Sequence, residues 1–67
     1  MTVARVTKLT ASSEESFQGA VKEALGRASQ TLRGISGLEI LSQKAKVVDG
    51  KIAEYRVTIE VTFIIED

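Results

Sequence analysis

Apolar and polar residues alternate without a break over the last third of the chain, from Ile52 to Glu66. One face reads Ala53, Tyr55, Val57, Ile59, Val61, Phe63 and Ile65. The other reads Glu54, Arg56, Thr58, Glu60 and Thr62, with Ile64 the single large intruder. Period two with β-branched and aromatic enrichment predicts a half-buried strand. At ~3.3 Å per residue that strand would reach about 45 Å. A compact chain of this length has a radius of gyration near ~11 Å, hence a diameter of roughly 28 Å. The strand must bend around something, or overhang and meet another copy of the chain.

Upstream, Val3 to Leu9 reads as a short strand, followed by the turn-like cluster Thr10-Ala11-Ser12-Ser13. Ser12 with Glu15 three places on matches a capping box, and Glu14 and Glu15 suit the positive end of a helix dipole. A helix is predicted to start there. Its apolar stripe is Phe17, Ala20, Val21, Ala24, Leu25, Ala28 and Leu32, extended by the methyl of Thr31. The alanines let such a helix lie close against one wide sheet face. Gly34 supplies a left-handed residue to end it. Gly26, inside the helix, is either tolerated or a place of close approach.

Leu38 to Val47 reads as a second strand with a fault: Leu38 and Ile40 share one face, whereas Leu41, Ala45 and Val47 take the other. A change of phase within one strand predicts a bulge or a sharp twist near Ile40-Leu41. Asp49-Gly50 is a strong signal for a type I′ hairpin turn into the last strand. The expected fold is α+β with order βαββ: a three-stranded antiparallel sheet wrapped around one helix, as one domain spanning residues 1–67. Lys44 and Lys46 on the second strand and Arg5 and Lys8 on the first offer partners of opposite charge to the polar face of the third. The competing reading of that face is simple solvation.

Composition narrows the functional classes. A chain of 67 residues is near the size at which one core is marginal. It has no cysteine and no histidine, so disulfides and the usual zinc arrangements are excluded and only oxygen ligands remain. Oligomerisation is the remaining common remedy. Nine basic and nine acidic side chains balance, which argues against a dedicated nucleic-acid binder. No apolar stretch approaches ~20 residues, and the opening Met1-Thr2-Val3-Ala4-Arg5 lacks signal-peptide form. The expectation is a cytoplasmic protein with no membrane partner.

Catalysis finds little support in the residues. Without histidine or cysteine there is no Ser-His or Cys-His nucleophile system. Glu14-Glu15 is explained by helix-start chemistry, and Glu66-Asp67 is a terminal pair. Gly34-Ile35-Ser36-Gly37 follows a helix instead of opening one, so it reads as a helix stop and tight turn, not a phosphate loop. Tyr55 and Phe63 fall on the core face, so no aromatic platform for bases is expected.

With this order of elements, the chain resembles the dodecins almost end to end. The resemblance is carried by Val3-Ala4-Arg5-Val6, Ala28-Ser29-Gln30-Thr31-Leu32-Arg33, Val48-Asp49-Gly50, Tyr55 to Phe63 as a block, and the Glu66-Asp67 finish. It implies a hollow homododecamer with helices outside and long strands wrapping inward. It also implies flavin (FMN or riboflavin) binding for storage, coenzyme A in some members, and calcium in some relatives that lack the flavin aromatic. In the family a tryptophan early in the second strand stacks on the flavin, and a glutamine on the third strand bonds to the ring edge. The corresponding positions here are Gly37 and Arg56.

Glycine removes the platform, and arginine, a donor only, cannot reproduce both roles of an amide. Arg56 would instead hold an anion or pair with Glu39 or Glu54. By resemblance the ligand-binding candidates are Gly37, Leu38, Glu39 and Arg56. Glu39, Glu54 and Glu60 offer hard oxygen ligands, but their spacing specifies no metal site. The leading expectation is a non-catalytic, dodecameric homo-oligomer that binds or stores a small ligand or an ion, with a lost or altered flavin site. The alternative keeps flavin storage, with a pocket rebuilt from Leu38, Ile40 and Arg56.

Overall fold

The strand that ends the chain is the spine of the fold. A computed structural model describes residues 2–65 and runs β1 (Val3–Ser13), α1 (Phe17–Thr31), β2 (Ile35–Val48) and β3 (Lys51–Ile65). β3 lies between β1 and β2 and pairs antiparallel with both. The βαββ order, the antiparallel sheet and the single helix are as the pattern predicts. The Glu66-Asp67 pair lies outside the described residues. Among those residues no helix is long and apolar enough to cross a membrane.

The core is small. α1 presents Ala20, Ala24 and Ala28 to Val57, Ile59 and Val61 of β3, and these six side chains are the buried set. Leu9, Ala11, Phe17, Val21, Leu32, Ile35 and Leu38 pack partly buried around them. Small side chains every fourth residue let the helix approach closely, so branched β3 side chains fill the space between. Each of those three contributes roughly 1.5–3 kcal/mol on burial. Phe17 closes one end, edge-on to Tyr55 with ring centroids 5.0 Å apart. Thr31, expected to extend the apolar stripe, is exposed at the last helical position. Gly26 makes no close approach: a Cβ there would meet nothing within 4 Å.

The helix begins later than local signals suggest. β1 does not stop at Leu9 but continues to Ser13, which pairs with Tyr55. Ser12 is therefore a strand residue opposite Arg56 and not a cap. The N-cap is Ser16, whose Oγ accepts from the Gly19 N–H at 2.9 Å. Ser13 Oγ accepts from the backbone N–H groups of Glu15 and Ser16 at 3.0 and 3.4 Å, turning the chain from strand to helix. The long β3 offers backbone partners beyond Leu9, and that pairing outweighs a four-residue capping pattern.

At the other end α1 is capped by extended Leu32, whose N–H donates to Ala28 O. Gly34 has φ +73°, and its carbonyl accepts from the Ile64 N–H at 2.9 Å. β2 then starts at once at Ile35, so Gly34 to Gly37 is not a free-standing turn. Of the two alternatives for the fault in β2, the bulge is the one found: Ile40 pairs with Ile59 and Ser42 with Thr58, leaving Leu41 extra. Further register shifts fall between Ile35 and Gly37 and between Lys46 and Val47. Asp49 and Gly50 both take positive φ, +52° and +75°, as a two-residue type I′ turn requires.

The molecule measures 52 × 19 × 13 Å, with a radius of gyration of 13.9 Å. That is well above the ~11 Å of a compact chain of this length. A helix of 15 residues spans only about 22 Å, so the sheet overhangs it. Past the helix, Val47 and Ile52 pair at the hairpin end and stay 61% and 50% exposed. Val3 and Ile65 pair at the opposite end, also exposed. Ile40 and Leu41 are exposed along β2.

Candidate functional site

The sheet face turned away from α1 carries the polar side chains. Alternation along β3 puts Glu54, Arg56, Thr58, Glu60 and Thr62 on it, because Val57, Ile59 and Val61 are buried under the helix. Cross-strand pairing then brings up Lys8, Thr10 and Ser12 from β1, opposite Glu60, Thr58 and Arg56. From β2 it brings Gly37 opposite Thr62, Glu39 opposite Glu60, Lys44 opposite Arg56 and Lys46 opposite Glu54. Thr10 and Thr58 join across the face through their hydroxyls at 3.0 Å.

Charges on this face are not arranged as simple opposite pairs. Lys8 with Glu60 and Lys46 with Glu54 are complementary, but Glu39 faces Glu60 and Lys44 faces Arg56. Like charges directly opposite destabilise a sheet. The one ion pair among the described residues runs along β3 instead: Arg56 Nη2 donates to Glu54 Oε1 at 2.6 Å. This is the Glu54 partnership expected for Arg56; Glu39 is out of its reach, facing Glu60 further along the sheet.

The resemblance-derived candidates are divided within one subunit. Gly37 and Arg56 share the polar face, but Thr62, the partner of Gly37, is six residues from Arg56 on β3. That separation is about 20 Å. Leu38 turns the other way, opposite Val61, and packs on the core. Glu39 returns to the polar face. A Cβ at Gly37 would meet nothing within 4 Å, so the position is open space. Among the described residues no group of three acidic side chains gathers in metal-binding geometry.

What does gather is basic. Lys44, Ala45, Lys46 and Arg56 line a shallow, open depression of about 360 Å³ on the hairpin half of the sheet. Its grouping depends on the bulge between Lys46 and Val47. Counting straight back from the Val48–Lys51 pair would set Lys44 opposite Tyr55, on the helix side. The extra residue Ala53 moves it to Arg56. A one-residue slip exchanges the faces, so the turn alone does not reveal this cluster. The signal available in the sequence is the phase of Lys44 and Lys46 relative to Ala45.

Comparisons with known proteins agree in one direction. The sequence model described as Dodecin matches residues 3–66. A curated dodecin from Thermus thermophilus is 32% identical over 65 residues, covering 97% of this chain and 94% of the relative. The crystal structure of a point variant of T. thermophilus dodecin aligns with TM-score 0.94 at 31% identity over 100% of both chains. Dodecin from Streptomyces coelicolor aligns at 0.92 and 32% identity, over 98% of this chain and 94% of that one. A calcium-chelating antigen of Mycobacterium tuberculosis, described as a calcium dodecin with a novel calcium-binding site, aligns at 0.81 and 31% identity. That alignment covers 96% of this chain and 91% of the other.

Proposed function

The chain belongs to the dodecin family, and from that premise we propose that it is a non-catalytic, homododecameric small-ligand binding and storage protein of the cytoplasm whose flavin site is altered. The observation that carries this reading is at Gly37. Where the family resemblance expects a stacking tryptophan, the polar sheet face has no side chain and open space. An aromatic ring supplies ~150–250 Å² of burial together with the geometry of stacking. Its loss removes most of the affinity for an isoalloxazine. Arg56, in place of an amide, is turned to Glu54 and offers no acceptor.

Self-association is supported by the overhang. Val47 and Ile52 at one end and Val3 and Ile65 at the other lie on exposed strand that a subunit with six buried core residues cannot cover. Dividing Gly37 from Arg56 by about 20 Å fits a site shared between subunits better than one within a subunit. The lack of histidine and cysteine supports the non-catalytic assignment.

Titration of riboflavin with the protein, followed by flavin fluorescence and native mass spectrometry, tests the reading. The expected result is a homododecamer with unchanged riboflavin fluorescence at micromolar protein. Strong quenching would overturn it in favour of a flavin-storing dodecin with a rebuilt pocket. A second reading, ion binding, is supported by the calcium-chelating relative and by Glu39 facing Glu60. It requires a rise in Tm with calcium that magnesium does not produce.

A further inference from the structure

We propose that Asp49 is a site of spontaneous modification: its side chain cyclises onto the Gly50 amide, and the aspartate that re-forms is partly β-linked, which loosens the hairpin end of the sheet. Ring closure to a succinimide requires a short carboxyl or amide side chain followed by an accessible backbone N–H. The chain has no asparagine, and its two aspartates are Asp49 and Asp67. Asp49 is the one followed by glycine, which hinders closure least because it has no Cβ. Both residues are exposed at the tip between β2 and β3. Among the described residues the Asp49 carboxylate enters no ion pair or hydrogen bond, and the Gly50 N–H donates to no backbone carbonyl. A Cβ added at Gly50 would meet nothing within 4 Å, so no neighbouring segment of the subunit blocks the approach. The two-residue turn also holds Asp49 at φ +52°, an unfavourable conformation for a residue with a Cβ. Local opening of the turn therefore relieves strain at Asp49 while it frees the Cα–C bond to bring the Gly50 nitrogen onto the side-chain carbon.

The step balances with water as the only co-reactant. The Gly50 nitrogen attacks Cγ of the protonated Asp49 carboxyl group; a C–N bond forms, a C–O bond breaks, and the amide proton leaves with the hydroxyl as water. Water then adds to either carbonyl of the imide. Attack at Cγ breaks the new C–N bond and restores aspartate. Attack at the backbone carbonyl breaks the original Asp49–Gly50 peptide link, leaves the α-carboxylate free and keeps Gly50 attached through Cγ. Composition is unchanged, but the backbone now runs through Cβ and is one carbon longer. That carbon falls in a turn whose length sets strand register. The turn closes the Val48–Lys51 pair and then the Val47–Ile52 pair. Val47 and Ile52 are exposed and lie beyond the helix, so no core packing holds them once the turn no longer fits. The inference depends on neither the ligand nor the number of subunits.

Storage of the full chain in warm neutral buffer, sampled over weeks, tests the proposal. Protein isoaspartate methyltransferase with a radiolabelled methyl donor counts β-linked residues, and electron-transfer fragmentation of the peptide containing Asp49 locates them. A steady rise of β-linked aspartate at Asp49 is expected. Asp49→Glu should abolish the signal, because its longer side chain does not close the succinimide ring. The isomerised fraction, once separated, should melt at a lower Tm than intact protein. The inference is overturned if nothing accumulates at Asp49 while a synthetic peptide running from Ala45 to Ala53 isomerises in the same buffer. Label that persists in Asp49→Glu, or an isomerised fraction that melts with the intact protein, overturns it equally. Should Asp49→Glu fail to fold, Asp49→Asn decides, since Asn-Gly suits the same turn. Its side chain closes to the same imide with loss of ammonia, so it must reach the same mixture of α- and β-linked aspartate faster than the wild type does. Conversion no faster than wild type overturns the inference.

Discussion

Gly37 and Arg56 occupy the same face of the sheet but opposite halves of it, the first beside Thr62 and the second beside Lys44. A ligand much shorter than about 20 Å cannot touch both positions within one subunit. Gly37→Trp combined with Arg56→Gln should restore riboflavin quenching, strengthening binding at least about tenfold over wild type. A Cβ at Gly37 meets nothing within 4 Å, so the subunit's own backbone accepts a side chain there. Quenching should disappear under conditions that dissociate the assembly. Riboflavin fluorescence that the double variant leaves unchanged would mean that the pocket backbone differs from the family's.

The hairpin end should govern assembly. Val47 and Ile52 are paired there, beyond the helix, and more than half of Val47 is exposed. Ile52→Glu places a charge where a neighbouring subunit would bury an apolar pair, and burying an unpaired charge is strongly unfavourable. Native mass spectrometry should show fewer subunits than for the wild type. An unchanged mass would remove this surface from the interface.

The two serine clusters near the helix start separate local from tertiary control. Ser16→Ala removes the cap on the Gly19 N–H and should lower stability by about 1 kcal/mol. Ser12→Ala should stay within about 0.5 kcal/mol, as expected for an exposed strand side chain that caps nothing. Chemical denaturation of both variants measures the difference. The reverse ranking would restore the capping box at Ser12.

Gly34 couples the helix exit to the end of β3. With φ at +73° it lies in the left-handed region, and a Cβ would sit 3.2 Å from the Ile64 carbonyl oxygen. Gly34→Ala should cost about 1–2 kcal/mol from the backbone conformation alone. The thermal midpoint should fall accordingly. Equal stability would show that the turn can shift to a negative φ.

Local patterns in the sequence were sufficient for the β3 alternation, the Asp49-Gly50 hairpin, the alanine stripe of α1 and the fault in β2 beside Leu41, because each is a short-range signal with a short-range cause. Gly37 and Arg56 were singled out by the family resemblance and not by any local pattern. Three things were decided only by tertiary structure. β1 runs on to Ser13 because β3 is there to pair with it, which moves the helix start to Ser16. The bulge at Ala53 sets Lys44 against Arg56, a grouping that exists only in one register. The distance between Gly37 and Arg56 follows from where the strands meet and not from either residue. Strand register is a property of two segments at once: a slip of one residue exchanges the faces, while the pattern within either segment stays as it was.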